Sequence, residues 1–243
     1  MVKNIVVSGG SSGIGLELIK LLLLEFPNCN IIGLSRNISN IDILKKYNNV
    51  YVFDVDLTIE KEVINIVEII FNKFKNIDFL VNNAGAGIIK LIEETSLDDW
   101  NSMFNINATS NFLLTREILK KRNSQDFLHI LNISSEAGID AFPTYAAYCA
   151  AKFAVTAFSK VLKEEYKNKN VKVNIIYPGD VLTPFMEKCP IDKDLMKKFD
   201  IEVLDEKYML QANDIAKQIL YLMKLPKNVE IADVKILPSG DFN

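Results

Sequence analysis

The sequence predicts an α/β protein built on one parallel sheet with helices on both faces. Short apolar runs alternate with longer amphipathic segments along the whole 243 residues, the rhythm of repeated β-α units. The runs are rich in Val, Ile and Phe and mostly continuous, as in strands buried on both faces. No Pro/Gly/Ser linker or internal repeat interrupts them, which gives one domain over residues 1–243.

Taken in order, the run 4–7 leads through glycines into a helical pattern over 14–26, and 30–34 precedes a pattern over 41–47. The run 50–53 precedes 60–74, and 77–81 precedes 98–121. Next, 127–133 precedes 145–166, 171–176 is followed at a distance by 213–224, and 231–236 is the last apolar run. One stretch breaks the rhythm. From Thr183 to Leu210 there is no strand pattern, yet Phe185, Met186, Met196, Phe199, Tyr208 and Met209 lie among charges. A surface excursion with short helices would look the same. A substrate lid over 183–210 is the expectation, because long insertions beyond strand ends often line ligand sites.

Composition excludes several classes of function. Hydrophobic residues make up 49% and charged residues 24%, with a net charge of −3, ordinary for a soluble globular chain. That balance offers no basic footprint for nucleic acid or an anionic membrane. Nothing at the start resembles a signal peptide, and the longest apolar stretch, Leu21 to Leu24, is too short to cross a bilayer. Cys29, Cys149 and Cys189 are odd in number and widely spaced, as expected of free thiols in a reducing cytoplasm and not of a metal or disulfide framework. The single histidine, His129, falls inside an apolar run, so it reads as a strand residue.

The first strand runs into Ser8-Gly9-Gly10-Ser11-Ser12-Gly13-Ile14-Gly15 and then a helix. Glycines there let the backbone approach a pyrophosphate, and the helix N-terminus offers free N–H groups and a positive dipole end. The second strand ends in Ser35-Arg36. Dinucleotide folds that use NAD place an acid at such a position to bind the ribose. A serine followed by a guanidinium favours a 2′-phosphate, and hence NADP(H) over NAD(H). Asn82-Asn83-Ala84-Gly85 follows the fourth strand, with small residues that permit close approach.

Tyr148 and Lys152 are four apart at the start of a helical stretch, so both project from one face. A solvated helix face would show the same spacing. A nearby ammonium favours the phenolate and would bring the tyrosine closer to useful acid–base work. Upstream, the fifth strand leads into Ser134-Ser135-Glu136-Ala137-Gly138, where a hydroxyl can stabilise charge on a carbonyl oxygen. Asn107 lies mid-helix in Phe104-Asn105-Ile106-Asn107-Ala108, where a buried amide needs a polar partner. It could equally be a satisfied core amide. Pro178-Gly179-Asp180-Val181-Leu182-Thr183 closes the sixth strand.

These motifs, in this order from Val6 to about Thr183, resemble the short-chain dehydrogenase/reductase family, in its compact single-domain branch. Ser8 stands where the family usually has Thr. The resemblance implies a doubly wound Rossmann sheet of strand order 3-2-1-4-5-6-7 and hydride transfer between a nicotinamide and a carbonyl or alcohol carbon. It implies Tyr148 as proton donor, Ser135 on the substrate oxygen (Ser134 the other choice), Lys152 on the nicotinamide ribose and Asn107 on a relay water. The implied cofactor set is Ser8, Gly9, Ser11, Ser12, Gly13, Ile14, Gly15, Ser35 and Arg36, with Asp54 at the adenine. Asn83, Ala84, Gly85, Tyr148, Lys152, Pro178, Gly179 and Thr183 complete it. A small, fairly apolar carbonyl or alcohol substrate and a homodimer or homotetramer are expected. Phe112, Leu113 and Phe158 serve either an interface or the core. A catalytically silent NADP-binding regulator or scaffold is the alternative on the same fold.

Overall fold

The computed structural model describes residues 3–185, 189, 193–199 and 205–239. Seven parallel strands form the central sheet: β1 (Asn4–Ser8), β2 (Asn30–Ser35), β3 (Val50–Asp54), β4 (Phe79–Asn82), β5 (Leu128–Ile133), β6 (Val171–Pro178) and β9 (Asp233–Ile236). Their spatial order is β3-β2-β1-β4-β5-β6-β9, the order expected, with β9 as the seventh strand of the sheet. Two short strands, β7 (Val181–Leu182) and β8 (Leu210–Gln211), pair in parallel beside it. The end of the 183–210 stretch therefore holds a strand that its composition did not signal.

Helices cover both faces, and a short helix, α6 (Lys193–Lys198), lies within the 183–210 stretch. On one side lie α1 (Gly13–Glu25) and α7 (Ala212–Lys224); on the other lie α2 (Glu60–Phe74), α4 (Ser110–Lys121) and α5 (Ala146–Glu165). Ile5 and Val7 of β1 join a core with Leu18 and Leu22 of α1 and Ile219 of α7. Val6, between them, joins the opposite core with Val67 of α2, Leu114 of α4 and Leu162 of α5. Period-two side chains packed on both faces explain why the strands read as continuous apolar runs. Each fully buried Ile or Leu contributes about 1.5–3 kcal/mol.

Two helical expectations changed. Residues 41–47 form no α-helix; short 3₁₀ turns at Ile38–Asn40 and Leu44–Lys46 stand there, anchored by buried Ile38 and Leu44. So short a segment cannot repay helix nucleation. Residues 98–121 split into α3 (Leu97–Phe104) and α4, joined by a π turn at Asn105–Thr109. There the Asn107 amide donates to Met103 O at 3.0 Å and the Ser110 hydroxyl to Ile106 O at 2.7 Å. Side chains that compete for helix carbonyls favour this wider turn, a frequent mark of functional sites.

His129 sits in β5, buried, with its ring nitrogen 2.5 Å from Asn174 Oδ1 and its ring tilted against Phe79. All three cysteines are free and buried. Among the described residues no helix is long and apolar enough to cross a membrane, and no cluster of His, Cys, Asp and Glu could hold a metal ion.

Candidate active site

The C-terminal ends of the sheet strands open onto one cleft of about 470 Å³, where open α/β sheets bind ligands. At its head, Gly9 and Gly13 have φ of +66° and +51°, a region that costs side-chain-bearing residues energy. A Cβ on Gly15 would lie 2.3 Å from Gly9 O, so only glycine lets α1 pack this tightly on the turn. Gly9, Ser11, Ser12, Gly13 and Ile14 line the cleft; Ser8 and Gly15 lie behind it. Buried Ser8 instead accepts hydrogen bonds from Asn83 N at 2.9 Å and Ala84 N at 3.0 Å. It thereby ties the 82–85 turn to the glycine turn, a task any hydroxyl performs. Ser12, the N-cap of α1, makes no side-chain cap bond, and the first turn carries no acid. Those first N–H groups and the dipole fit a pyrophosphate.

Further along, Ser35 and the exposed Arg36 line the cleft, with Ser11 and Ser35 hydroxyls 2.9 Å apart. Arg36 forms no ion pair among the described residues. Asp54, expected at the adenine, is not in the cleft wall. Its carboxylate turns back to accept from Ser39 N at 2.9 Å and from the Ser39 hydroxyl, bonds that lower its pKa. Asp56 lines the cleft in its place, set by Thr58, whose N and hydroxyl donate to it at 2.9 and 2.7 Å. The pattern Asp54-Val55-Asp56 offers two acids; only the last strand residue's outward turn separates them. Asn83, Ala84 and Gly85 also line the cleft, with the Asn83 amide donating to Ser8 O at 3.1 Å.

The floor of the cleft brings Ser135, Tyr148 and Lys152 together, and Asn107 lies buried behind it, near Lys152 at Gly85. Ser135 ends the turn after β5, its hydroxyl accepting from Ala137 N at 3.1 Å. Ser134 lies deeper, donating to Lys152 O at 3.2 Å and 3.0 Å from the Thr156 hydroxyl, which makes it a brace for α5. Tyr148 and Lys152 share one face of α5, with Lys152 Nζ 5.7 Å from the Tyr148 ring centroid. Burial pushes the Tyr148 phenol up to about 12, while a hydrogen bond to Ser135 pulls it back. The expected lowering by Lys152 does not appear: that ammonium donates to Ile133 O at 3.1 Å, and burial lowers its pKa to about 8. Both groups are thus driven toward their neutral forms. Asn107 donates to Ala86 O at 2.9 Å and accepts from Ala86 N at 3.3 Å.

Pro178, Gly179 and Thr183 close the far wall, and a Cβ on Gly13 would lie 3.3 Å from Thr183 Cγ2. Of the 183–210 residues, Phe185, Met196 and Met209 line the cleft, with the Phe185 ring 5.8 Å from that of Tyr148. Phe199 is 39% exposed and Tyr208 half-buried; Met186 lies outside the described residues. Glu136, Tyr145 and Asp180 also line it. No sequence signal distinguished them, since each is an unremarked neighbour of a recognised motif.

A doubly wound sheet with a glycine turn, an uncapped helix start and a Ser–Tyr–Lys floor defines a dinucleotide-dependent oxidoreductase. A family model described as short chain dehydrogenase matches residues 3–194. An uncharacterized oxidoreductase of Staphylococcus saprophyticus is 31% identical over 98% of this chain and 96% of its own. Among solved structures, a 4-hydroxyisoleucine dehydrogenase mutant complexed with NADH and succinate is similar at 29% identity and a TM-score of 0.85, covering 97% of each chain. A serine dehydrogenase complexed with NADP+ is similar at 25% identity and a TM-score of 0.84, over 96% of this chain and 94% of that one. This chain belongs to the short-chain dehydrogenase family. Its class of reaction is NAD(P)-dependent interconversion of an alcohol and a carbonyl.

Proposed function

We propose that the chain is an NADP(H)-dependent enzyme that reduces the carbonyl, or oxidises the alcohol, of a small molecule. The observation that carries this is the convergence of Ser135, Tyr148 and Lys152 at the end of the dinucleotide cleft, with buried Asn107 beside Lys152 at Gly85. When bound, the nicotinamide supplies or accepts the hydride. In reduction, Tyr148 gives its phenolic proton to the substrate oxygen as the carbon becomes a CH–OH. The Ser135 hydroxyl holds that oxygen and steadies the charge developing on it. Lys152 holds the ribose hydroxyls and, through water at Asn107, returns a proton to Tyr148. The 183–210 segment covers the substrate, with Phe185, Met196 and Met209 as its inner wall.

NADP(H) is favoured over NAD(H) by Ser35 and Arg36 at the end of β2. Ser35 removes the acid that would repel a 2′-phosphate, and Arg36 offers a guanidinium without an ion-pair partner among the described residues. Phe112, 41% exposed and edge-on to Phe158 at 6.0 Å, makes the α4–α5 face the proposed contact of a homodimer or homotetramer; Leu113 belongs to the core.

Tyr148→Phe is the direct test. NADP affinity should stay within a few fold while turnover across a panel of aldehydes and ketones falls by about 10²–10⁴. Retained turnover would remove Tyr148 from the reaction. Binding of NADP by the native chain without turnover of any carbonyl would favour a silent cofactor-binding regulator or scaffold.

A further inference from the structure

The substrate end of the cleft carries charge that proton and hydride transfer do not use. Asp180 stands between β6 and β7, its backbone fixed because Leu210 N donates to Asp180 O at 3.0 Å and Gly179 N to Ile236 O at 2.8 Å. Glu136 directly follows Ser135, and its Oε2 would lie 3.5 Å from a Cβ on Gly179. Both residues line the cleft. Glu136 is drawn toward Lys235 at 2.9 Å, but that lysine is shared with Asp140 at 3.1 Å on the outer side. The Asp180 carboxylate has neither a hydrogen bond nor an ion pair among the described residues. Asp180 is solvent-exposed, and partial desolvation with Glu136 nearby pushes its pKa up.

Tyr145, Phe185 and Met209 give this end aromatic and apolar wall as well. Among the described residues, the only cations lining the cleft are Lys152, beside the reacting atoms, and Arg36, at the opposite end. Among those residues a substrate carboxylate would therefore meet two acidic residues and no cation at this end, whereas a protonated amine would meet an unpaired acceptor.

We propose that Asp180, backed by Glu136, is a specificity-determining residue that binds an ammonium group, so that the substrates are short hydroxy- or oxo-amines. The CH–OH or C=O carbon would lie at Tyr148 and Ser135, the apolar stem against Phe185, and the ammonium at Asp180. The amine is bound and unchanged: oxidation moves the hydride from carbon to the nicotinamide and the hydroxyl proton to Tyr148. This assignment rests on the oxidoreductase reading above.

Three alcohols on one four-carbon chain isolate charge: 4-aminobutan-2-ol, butane-1,3-diol and 3-hydroxybutanoate. Calorimetry on the Tyr148→Phe protein saturated with NADP+ reads their binding without turnover. The amine should bind at least about tenfold more tightly than the diol, the gain expected of one charge-assisted hydrogen bond, with the carboxylate weakest. Adding Asp180→Asn should bring the amine-to-diol ratio near one. Equal binding of amine and diol, no measurable binding of the amine, or a ratio indifferent to Asp180→Asn would overturn the assignment. Turnover of the same alcohols by the native chain is read separately. If the binding order holds while no alcohol is oxidised, the oxidoreductase reading falls and the ammonium site stands.

Discussion

Asn107 and Lys152 face one another across the backbone of Gly85. A Cβ on that glycine would lie 2.9 Å from Asn107 Oδ1 and 3.6 Å from Lys152 Nζ. Gly85→Ala should therefore displace the Asn107 amide from Ala86. The overpacking costs about 1–3 kcal/mol of stability, and kcat/KM should drop by at least about tenfold, worth 1.4 kcal/mol at the transition state. Denaturant melts and steady-state kinetics measure the two effects. Unchanged kinetics in a folded variant would show that the gap between amide and ammonium has no part in turnover.

Lys152 has a stability consequence opposite to its catalytic one. Burial holds its folded pKa at about 8, below the ordinary 10.5. Between those values the unfolded chain binds the proton and the folded chain does not, so this group makes stability rise with pH through that window. Below pH 8 the penalty is fully present. Lys152→Met should raise stability at pH 7 by about 1–3 kcal/mol, the upper figure reduced by loss of the bond to Ile133 O, and should abolish turnover. A urea midpoint at pH 7 no higher than that of the native chain would contradict this account.

The parts legible in the sequence were those with local causes. Strand identity followed from apolar runs such as Ile5-Val6-Val7 that must bury both faces, strand order followed from the family resemblance, and the Tyr148–Lys152 face followed from helical spacing. What stayed hidden depends on tertiary placement. Nothing local tells that Asn107 lies within a π turn, that Leu210 pairs with Val181, or that the Asp180 carboxylate is left without a partner among the described residues. Which of Asp54 and Asp56 faces the cleft is a choice of the same kind, since Asp54 turns onto Ser39, fifteen residues upstream.

That choice yields a paired prediction. Asp56→Ala should weaken NADP binding by about tenfold, on the order of 1.4 kcal/mol, because it removes both a cleft-lining polar group and the acceptor that shapes Thr58. Asp54→Ala should leave the affinity within about twofold, since its carboxylate is spent on Ser39. Titration of cofactor fluorescence compares them. Equal losses in the two variants would return Asp54 to the cofactor site.

The chain's single histidine makes the fold sensitive to mild acid. Burial depresses His129 from 6.5 to about 4, against the opposing pull of its bond to Asn174. The folded chain keeps the ring neutral while the unfolded chain takes up a proton below pH 6.5. The stability this group contributes is therefore complete above pH 6.5 and is lost as pH falls toward 4. A shift of this size corresponds to about 3 kcal/mol across the window. With no second imidazole in the chain and Asp99 held at about 2 by Lys90 and Ser96, the slope between pH 6.5 and 5 belongs chiefly to His129. Denaturant unfolding at half-unit steps of pH should show it, and His129→Gln, lower in stability at pH 7, should flatten it. An equal slope in that variant would assign the acid sensitivity to the carboxylates instead.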